Sequence, residues 1–347
     1  MSGVQTLTVP PDDGDQRLDR WLKRQFPQLT QGWVEKACRK GEIRVDGGRV
    51  KASTRIEGGQ AVRLPPMPDA PADPPPRPAR AEPGDADAAM IQAAVLWKDQ
   101  HIIALNKPPG LPSQGGSGQG ARHVDGLSAA LTFDYKDRPV LVHRLDRDTS
   151  GLLLLARTPR VARRLAEAFR ARETRKLYWA VVAGVPSPRM GTIRYGLVKA
   201  GGPRSEKMRC LHPDAVADTP GAKRATTDYA VLHALGKRAA WVALAPITGR
   251  THQLRAHMAE LGHPIVGDGK YGGSGQDNPG DGWGAQLGGE ISRKLHLHAR
   301  SLRFTHPITG AEVHLTAPLP PHMARTWETL GFMEDDVPED PFAEGPP

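Results

Sequence analysis

Residues 143–156, HRLDRDTSGLLLLA, place a dense group of charges directly before four leucines. Asp146 lies between Arg144 and Arg147, and leucines in an unbroken run are normally buried in a folded protein. Most such clusters are salt-bridged loops at the mouth of a core strand, and that interpretation stays open here. The alternative is a catalytic carboxylate at the floor of a cleft, because a stiff buried strand is a suitable mount for a reacting group.

Two further stretches carry groups that could work beside a carboxylate. In ETRKLYWAVVAG, Lys176 and Tyr178 are two residues apart and therefore share one face of a predicted strand. In PITGRTHQLRAHMAELGHPIVGD, the spacing predicts a helix that begins at Thr251, with His252 and Arg255 on one side. The buried stripe of that helix is expected to comprise Leu254, Met258 and Leu261.

Each of these groups also has an ordinary structural interpretation. A tyrosine on a strand is more often half-buried packing with a hydrogen-bonded hydroxyl. An arginine at a helix start is more often a phosphate contact or a solvated charge. The residues alone therefore allow an Asp–Arg–Tyr site without naming a reaction.

Metal and nucleotide binding are both disfavoured by spacing. Histidines recur at His252, His257 and His263, and again at His296 and His298. No cysteine or acidic ligand accompanies them at zinc-site spacing, so we expect no metal. The glycine-rich GGSGQG at 115–120 matches neither a Walker loop nor GxGxxG after a parallel strand, so it predicts no nucleotide site.

The distribution of charge indicates a polyanionic partner. The formal net charge is +9. Lys and Arg outnumber Asp and Glu by twelve to six over residues 15–64 and by thirty-three to nineteen over 90–333. Two basic units favour RNA or DNA that touches both of them, although a basic surface kept for solubility is the alternative.

Cellular location is suggested by what the sequence does not contain. No apolar run approaches the roughly 20 residues of a membrane span. The first 20 residues, MSGVQTLTVPPDDGDQRLDR, show no secretion signal. Cys38 and Cys210 fall in different predicted units, which fits a reducing cytoplasm better than a disulfide.

Prolines divide the chain. Nine of its 33 prolines lie between Pro65 and Pro83, so residues 65–89 are expected to form an extended spacer that holds neither helix nor ladder. The spacer separates a small module, 15–64, from a large body, 90–333. The acidic end, 334–347, is expected to be disordered.

The small module shows two short helical patterns followed by a hairpin around Asp46-Gly47-Gly48. With RLDRWL and RKGEIRVDG in this order, it resembles the αL RNA-binding module of the small-subunit ribosomal protein S-four. The resemblance implies that Arg39, Lys40 and Arg44 face phosphates, which position a protein on nucleic acid without reading sequence. A small basic domain that contacts another protein is the alternative.

The body is predicted to be α+β with a mixed, largely antiparallel sheet. Two apolar runs flank Lys98-Asp99-Gln100 as in a hairpin, and Val161, Leu165 and Phe169 recur every four residues as in a helix. Strand patterns then dominate; they are LYWAVVAG, TTDYAVLHAL, AWVALAPI and LHLHARSLRF. The glycine-rich stretch Gly272 to Gly289 is expected to be a surface insertion loop.

Taken in order, the motifs of the body resemble one enzyme family. HRLDRDTSGLLLLA looks like the signature of the pseudouridine synthases of the RluA-like branch. NKPPG before it, and RKLYWAVVAG, ITGRTHQLRAHMAELGHPIVGD and LHLHARSLRFTHP after it, agree with that family and cover nearly all of 92–320. An αL module, a linker and this body together are similar to the bacterial enzymes of the branch that act on large-subunit ribosomal RNA.

The resemblance implies roles for individual residues. Asp146 matches the catalytic aspartate, Arg255 the cation that stabilises its ionised form, and Tyr178 the active-site tyrosine. Arg144 matches the residue that fills the space left when the target base is extruded. Further contacts to RNA phosphates are expected from Lys107, Arg157, Arg163, Arg250 and His252.

The same resemblance implies no cofactor and no metal, because the isomerisation neither gains atoms nor exchanges electrons. Large-subunit ribosomal RNA is the expected partner, and a monomer is the simplest expectation. Two alternatives stay open: the same chemistry on transfer RNA, and a non-catalytic RNA-binding or ribosome-assembly factor.

Overall fold

The structure, a computed structural model, describes residues 3–14, 16–68, 82–115, 122–171, 173–201, 206–272 and 291–343. The chain divides into two compact units, Met1–Ala79 and Arg80–Pro347. Most of the proline-rich spacer, the GGSGQG loop after Gly115 and the insertion predicted at Gly272 to Gly289 lie outside the described residues, apart from Gly272 itself.

The described residues of the first unit form two α-helices and six short strands. In chain order these are β1 (Gln5–Thr8), β2 (Gln16–Arg17), α1 (Leu18–Gln25), α2 (Gln31–Lys40), β3 (Arg44–Val45), β4 (Gly48–Arg49), β5 (Arg55–Ile56) and β6 (Ala61–Leu64). Strands pair in the order β1-β6-β3-β4, with β2 and β5 forming a separate pair. The hairpin predicted around Asp46-Gly47-Gly48 is the β3–β4 pair.

Local signals explain where the helices of the first unit end. The Thr30 hydroxyl accepts a hydrogen bond from the Trp33 N–H at the start of α2, and Gly41 ends it with a left-handed φ of 74°. The apolar faces of α1 and α2 pack on β6 in one core, in which Leu18, Trp21 and Val34 are buried.

The second unit contains five helices and eleven strands among its described residues. They are α3 (Asp85–Ala93), β7 (Val95–Lys98), β8 (Ile102–Lys107), α4 (Val124–Leu127), β9 (Val140–Leu141), β10 (Ser150–Ala156), α5 (Pro159–Ala171), β11 (Arg175–Ala183), β12 (Met190–Lys199), β13 (Met208–Leu211), β14 (Lys223–Leu235), β15 (Ala239–Pro246), α6 (Gln253–Glu260), β16 (Leu297–Thr305), β17 (Glu312–Thr316) and α7 (Pro321–Leu330). No helix in the described ranges is long and apolar enough to cross a bilayer.

All eleven strands join one sheet. Its main path is β13-β12-β14-β15-β11-β16-β10-β8-β7, with β17 paired to β16 and β9 paired to β10. Among the described strands only β10 and β16 run parallel, and every other pairing is antiparallel. The fold class predicted from the sequence, α+β with a mixed and largely antiparallel sheet, is confirmed.

The leucine run forms the most enclosed strand around the cleft described below. Every residue of β10, SGLLLLA, is buried, because β8 and β16 flank it. Gly151 has a φ of +104°, and a Cβ there would lie 2.3 Å from the Ala299 carbonyl oxygen on β16. Glycine is therefore required where the two parallel strands meet.

Two helices of the body compare closely with prediction. In α5, Val161 and Leu165 are buried and Phe169 packs against the same core, as the four-residue spacing predicts. Helix α6 begins at Gln253 instead of Thr251, because His252 takes a left-handed conformation with a φ of +51° and cannot continue a helix backward.

The expected spacer 65–89 was too long. Helix α3 begins at Asp85, just after the last proline of the segment, Pro83. Asp85 and Asp87 occupy its first turn, where the helix dipole favours negative charge, and Ile91 is fully buried. The helix-free spacer can therefore extend no further than residue 84.

The expectation of a disordered acidic tail was wrong for residues 334–343. Arg300 Nη2 lies 2.6 Å from Glu334 Oε2, and Arg175 Nη2 donates to Asp340 Oδ1 over 2.7 Å. The ring of Phe342 is buried among residues of the sheet. Arginines on β11 and β16 thus supply the partners that turn an acidic end into an ordered one.

Candidate active site

A cleft of about 950 Å³ opens in the second unit where β10, β11 and α6 begin. It is lined by residues of the 112–115 loop, the 142–149 segment, the end of α5, the start of β11 and the 246–255 segment. Asp146 lies in this cleft, and its side chain is 25% exposed. The carboxylate is therefore reachable from solvent although the strand that follows it is buried.

Hydrogen bonds hold the residues on both sides of Asp146. The Ser113 hydroxyl donates to the Leu145 carbonyl over 2.7 Å and accepts from the Leu145 N–H over 3.0 Å. The Arg147 carbonyl accepts from Gly110 N, 2.9 Å away, and from Lys107 Nζ, 3.0 Å away. The NKPPGLPS segment thus fixes the backbone that carries the carboxylate.

Lys107, for which the sequence predicts a phosphate contact, lies inside the protein instead of at its surface. Its side chain is fully buried, and Nζ also donates to the carbonyls of Pro108 and Leu111, each at 2.9 Å. Burial lowers its pKa to about 7, while three carbonyl acceptors favour the protonated amine. Its role is to anchor the loop beside Asp146.

Arg157 is a second residue expected on phosphate that the structure places elsewhere. It is buried, with Nε donating to the Asp99 carbonyl and Nη1 to the Thr132 carbonyl. Its guanidinium carbon stacks 4.5 Å from the Tyr135 ring centroid. A guanidinium occupied in this way holds neighbouring loops together.

Arg255 is the cation nearest to Asp146. Its Nη1 lies 3.7 Å from Asp146 Oδ2, while Nε and Nη2 each donate to Asp268 over 2.7 Å. Burial opposes the charge, but the hydrogen bonds and the charge of Asp268 outweigh it and raise the pKa of Arg255. The guanidinium is therefore a fixed, permanent positive charge beside the carboxylate.

Asp268 was not identified from the sequence. Its side chain is fully buried, and besides Arg255 its Oδ1 accepts from the N–H groups of Lys270 and Tyr271. The residue closes the PIVGD motif. A buried arginine requires such a partner, but nothing in the spacing shows which carboxylate provides it.

His252 also lies beside Asp146. Its Nε2 is 3.8 Å from Asp146 Oδ2, and its Nδ1 is 3.0 Å from the hydroxyl oxygen of Tyr271. Burial lowers the pKa of His252, against the opposing pull of Asp146, so the neutral ring is favoured near pH 7. The structure thus places this expected RNA contact beside Asp146.

Tyr178 lines the same cleft from β11. A register shift between Leu177 and Tyr178 in the pairing with β16 interrupts the regular ladder at this point. Burial, with the negative charge of Asp146 adding to it, raises the pKa of Tyr178 above its ordinary value. The group is therefore a phenol at neutral pH, and it can offer a ring face and a proton.

The remaining expected RNA contacts are exposed and spread over both units. Arg144 and Arg250 line the rim of the cleft. In the first unit Lys40 and Arg44 are exposed, and Arg39 lines a groove of about 700 Å³ with Arg17, Arg49 and Lys51. Arg163 is exposed on α5. These placements leave the side chains accessible to a phosphate backbone.

The five histidines considered for a metal site do not converge. His298 contacts the Ser150 hydroxyl and the Ala317 carbonyl, His296 contacts Thr326, and His263 contacts the Ala183 carbonyl. In the described part of the chain no three His, Cys, Asp or Glu side chains are grouped so that they could hold a metal ion.

Comparison with known families gives two matches. Residues 101–260 match the family of RNA pseudouridylate synthases, and residues 16–62 match the S4 domain. The first match contains Asp146, Tyr178 and Arg255, and the second contains Arg39, Lys40 and Arg44.

Individual proteins are similar over most of the chain. The ribosomal large subunit pseudouridine synthase C of Vibrio cholerae is 33% identical over 321 residues, covering 92% of this chain and 95% of that protein. The enzyme of the same name from Escherichia coli is 33% identical over 338 residues, covering 94% and 97%. A solved structure, human RNA pseudouridylate synthase domain containing 4, has a TM-score of 0.57 at 30% identity and covers 70% of this chain and 95% of its own.

Proposed function

The chain belongs to the RNA pseudouridylate synthase family, and from that premise we propose that it converts specific uridines of large-subunit ribosomal RNA to pseudouridine, with Asp146 as the catalytic carboxylate. The family's reaction breaks the bond between N1 of uracil and C1′ of ribose and forms a bond between C5 and C1′. A proton leaves C5 and N1 gains one, so atoms and electrons balance within the RNA.

One observation carries the proposal. The carboxylate of Asp146 faces a cleft at 3.7 Å from an arginine whose fork is locked by a buried carboxylate. The fixed charge of Arg255 attracts and orients the Asp146 carboxylate, which can then attack the nucleotide or stabilise charge that develops on the sugar. The hydrogen bonds to Leu145 and Arg147 hold the carboxylate still while it reacts.

Tyr178 and Arg144 act on the target nucleotide in this proposal. A uridine inside a base stack has to be extruded, at a cost of a few kcal/mol. The Tyr178 ring stacks on the extruded base, and its hydroxyl delivers or holds a proton. Arg144, exposed at the rim, fills the space that the base leaves.

The first unit would hold the RNA. Its exposed Arg39, Lys40 and Arg44 neutralise phosphates, which adds affinity and orientation without selecting a sequence. The name of the bacterial relatives motivates large-subunit ribosomal RNA as the substrate. We also expect a monomer that works in the cytoplasm, where ribosomes assemble.

The test is a map of pseudouridine in large-subunit ribosomal RNA and transfer RNA from cells without this gene, rescued by wild type or by Asp146→Asn. Sites in the large-subunit RNA should vanish, return with wild type and stay absent with Asp146→Asn. A matched control, Asp214→Asn, removes a carboxylate that is 91% exposed outside the cleft and should restore every site. Binding of Asp146→Asn to RNA should remain near the wild-type level.

Three other outcomes contradict the proposal in different ways. Changes confined to transfer RNA would keep the chemistry and replace the substrate. Full rescue by Asp146→Asn would remove Asp146 from the reaction. A growth or assembly defect with no altered site, equally rescued by the variant, would favour a non-catalytic ribosome-assembly factor.

A further inference from the structure

Tyr271 contacts both groups that lie beside Asp146. Its hydroxyl oxygen is 3.0 Å from His252 Nδ1, and its ring centroid is 5.3 Å from the guanidinium carbon of Arg255. Its backbone N–H donates to Asp268 Oδ1 over 3.2 Å. Tyr271 thus belongs to the structure around the reacting carboxylate, although no motif considered in the sequence includes it.

The hydrogen-bond partners of the Tyr271 hydroxyl constrain the direction in which its proton points. Its oxygen accepts a hydrogen bond from the Met208 N–H, 2.8 Å away. A phenol has one proton to donate, and within the described ranges the other partner of the oxygen is His252 Nδ1. Donation of the phenol proton to Nδ1 gives both the hydroxyl and this ring nitrogen a hydrogen bond. A neutral imidazole that accepts at Nδ1 carries its own proton on Nε2.

The contact of the other ring nitrogen of His252, Nε2, supports the same tautomer. His252 Nε2 is 3.8 Å from Asp146 Oδ2, and an ionised carboxylate can only accept hydrogen bonds. An Nε2 lone pair facing that oxygen would be repelled, whereas an N–H is attracted. The imidazole is 6% exposed, so water competes little for either nitrogen.

We propose that Tyr271 is a positioning residue that holds His252 as the Nε2–H tautomer, so that His252 offers a neutral N–H donor to the Asp146 carboxylate during the reaction. The separation of 3.8 Å is longer than a hydrogen bond, and such contacts shorten when substrate closes a site. A neutral donor orients the carboxylate beside Arg255 without adding a second full positive charge that would weaken it as a nucleophile. The reactive context of this inference rests on the proposed function.

The tautomer can be observed directly in the full-length protein. Nitrogen NMR of protein labelled with ¹⁵N-histidine distinguishes protonated from unprotonated ring nitrogens, and His252→Gln identifies the signals of His252 among the 13 histidines. In the wild-type protein at neutral pH, Nε2 of His252 should be protonated and Nδ1 should be unprotonated. Tyr271→Phe should convert this into a mixture. An Nδ1–H ring or an imidazolium in wild type, or an unchanged spectrum in Tyr271→Phe, would overturn the proposal.

Turnover provides the second readout. Tyr271→Phe keeps the ring against Arg255, so its single-turnover rate should fall about tenfold while the Kd for RNA stays within about twofold. His252→Gln places an amide N–H donor near the Nε2 position and should keep more activity than His252→Asn, whose shorter side chain cannot reach it. Equal rates for these two variants, or a wild-type rate for Tyr271→Phe, would also overturn the proposal.

A matched control excludes a general loss of structure. Tyr135→Phe removes a phenol that donates to the Gln100 carbonyl over 2.9 Å outside the cleft, and it should leave the rate and the His252 spectrum unchanged. If wild type modifies no RNA, the proposed function fails by itself. The spectra of wild type and Tyr271→Phe still decide whether Tyr271 sets the tautomer.

Discussion

The amine of Lys107 donates to the backbone carbonyl of Arg147 over 3.0 Å, so a fully buried lysine fixes the residue that follows Asp146. The same amine holds two carbonyls of its own loop, Pro108 and Leu111. One side chain therefore connects the NKPPG segment to the loop that carries Asp146. We infer that a lysine is needed here because it holds the two loops together, and this function does not involve an RNA phosphate.

Lys107→Met should lower both stability and turnover. Methionine fills the space of the stem but leaves buried carbonyls without their donor, which should reduce the free energy of unfolding by about 2–3 kcal/mol. The rate should fall because the Asp146 loop loosens, while the Kd for RNA stays unchanged. Urea unfolding and single-turnover assays measure the two effects. Lys136→Met, on an exposed loop, is the control. If Lys107→Met weakened RNA binding and kept a normal rate, the proposed role of Lys107 would be contradicted.

Asp268→Asn should disable the site without touching substrate. The amide keeps one acceptor oxygen but leaves the buried charge of Arg255 without its bidentate partner, a loss of about 3 kcal/mol in stability. The turnover rate should drop about a hundredfold, because the guanidinium no longer points steadily at Asp146. As a control, Asp228→Asn alters a carboxylate that accepts a hydrogen bond from the Thr192 hydroxyl. The stability and the rate of this variant should be close to those of wild type. Normal stability and rate in Asp268→Asn would show that Arg255 is held by something else.

Tyr178 should act as a phenol throughout the usual assay range. Because its pKa lies above the ordinary value of 10.0, the wild-type rate should show no step from phenol ionisation between about pH 6 and 9. Tyr178→Phe should give a parallel pH profile that is about a hundredfold lower, and Tyr178→Leu should be lower still because stacking is lost. A rate that falls with pH in wild type but not in Tyr178→Phe would assign the step to this group.

The second unit should be sensitive to acid. Burial lowers the pKa of several histidines, to about 3 for His143 and His296 and to about 4 for His257 and His298. The unfolded chain binds their protons below the ordinary value of 6.5, whereas the folded chain does not. Their stabilisation is therefore complete above pH 6.5 and is lost as pH falls, by at most about 1.4 kcal/mol per pH unit for each ring.

His257 allows a direct measurement of that slope. Neither of its ring nitrogens has a hydrogen-bond partner among the described residues, so His257→Phe removes the titration and sacrifices no bond. Urea unfolding at about pH 7.5 and 5 should show a flatter pH dependence for this variant than for wild type. His212→Phe, at a side chain that is 72% exposed, should keep the wild-type slope. Equal slopes for all three proteins would mean that His257 is protonated in the folded state.

Replacing Arg39, Lys40 and Arg44 together by glutamine should weaken RNA binding and its dependence on salt. Each lost phosphate contact removes about 0.7–0.9 from the slope of log Kd against log salt concentration. The rate with saturating RNA should stay near wild type, since these residues lie in the first unit. Lys237→Gln, in an exposed turn of the second unit, is the control. An unchanged salt slope would remove the three residues from the RNA interface.

Much of the fold can be predicted from the sequence because local residue patterns determine the elements. The leucine run after Asp146 predicts a buried strand, and β10 is buried at every position. The spacing of Val161, Leu165 and Phe169 predicts α5, and glycine at 47 and 48 predicts the β3–β4 hairpin. In each case the residues that determine the element are neighbours in sequence, so tertiary context had little to override.

The errors arose where partners are distant in sequence. A lysine in a basic chain predicts a phosphate contact, but the amine of Lys107 instead donates to the carbonyl of Arg147, forty residues later. The tail was expected to be disordered because of its charge, but Arg175 and Arg300 neutralise part of that charge from the sheet. Asp268 was overlooked for the same reason, since its contact with Arg255 spans the end of a helix.

The parallel pairing of β10 with β16 divides the sheet of the second unit. It consists of two residue pairs, Ser150 with His298 and Gly151 with Ala299, and it joins two antiparallel sub-sheets. Asp146 leads into one sub-sheet, whereas Tyr178 belongs to the other. Asp146 and Tyr178 are therefore held beside one cleft only while β10 and β16 stay paired. We therefore expect turnover to fall when the two sub-sheets separate, even where each sub-sheet keeps its own strand pairings.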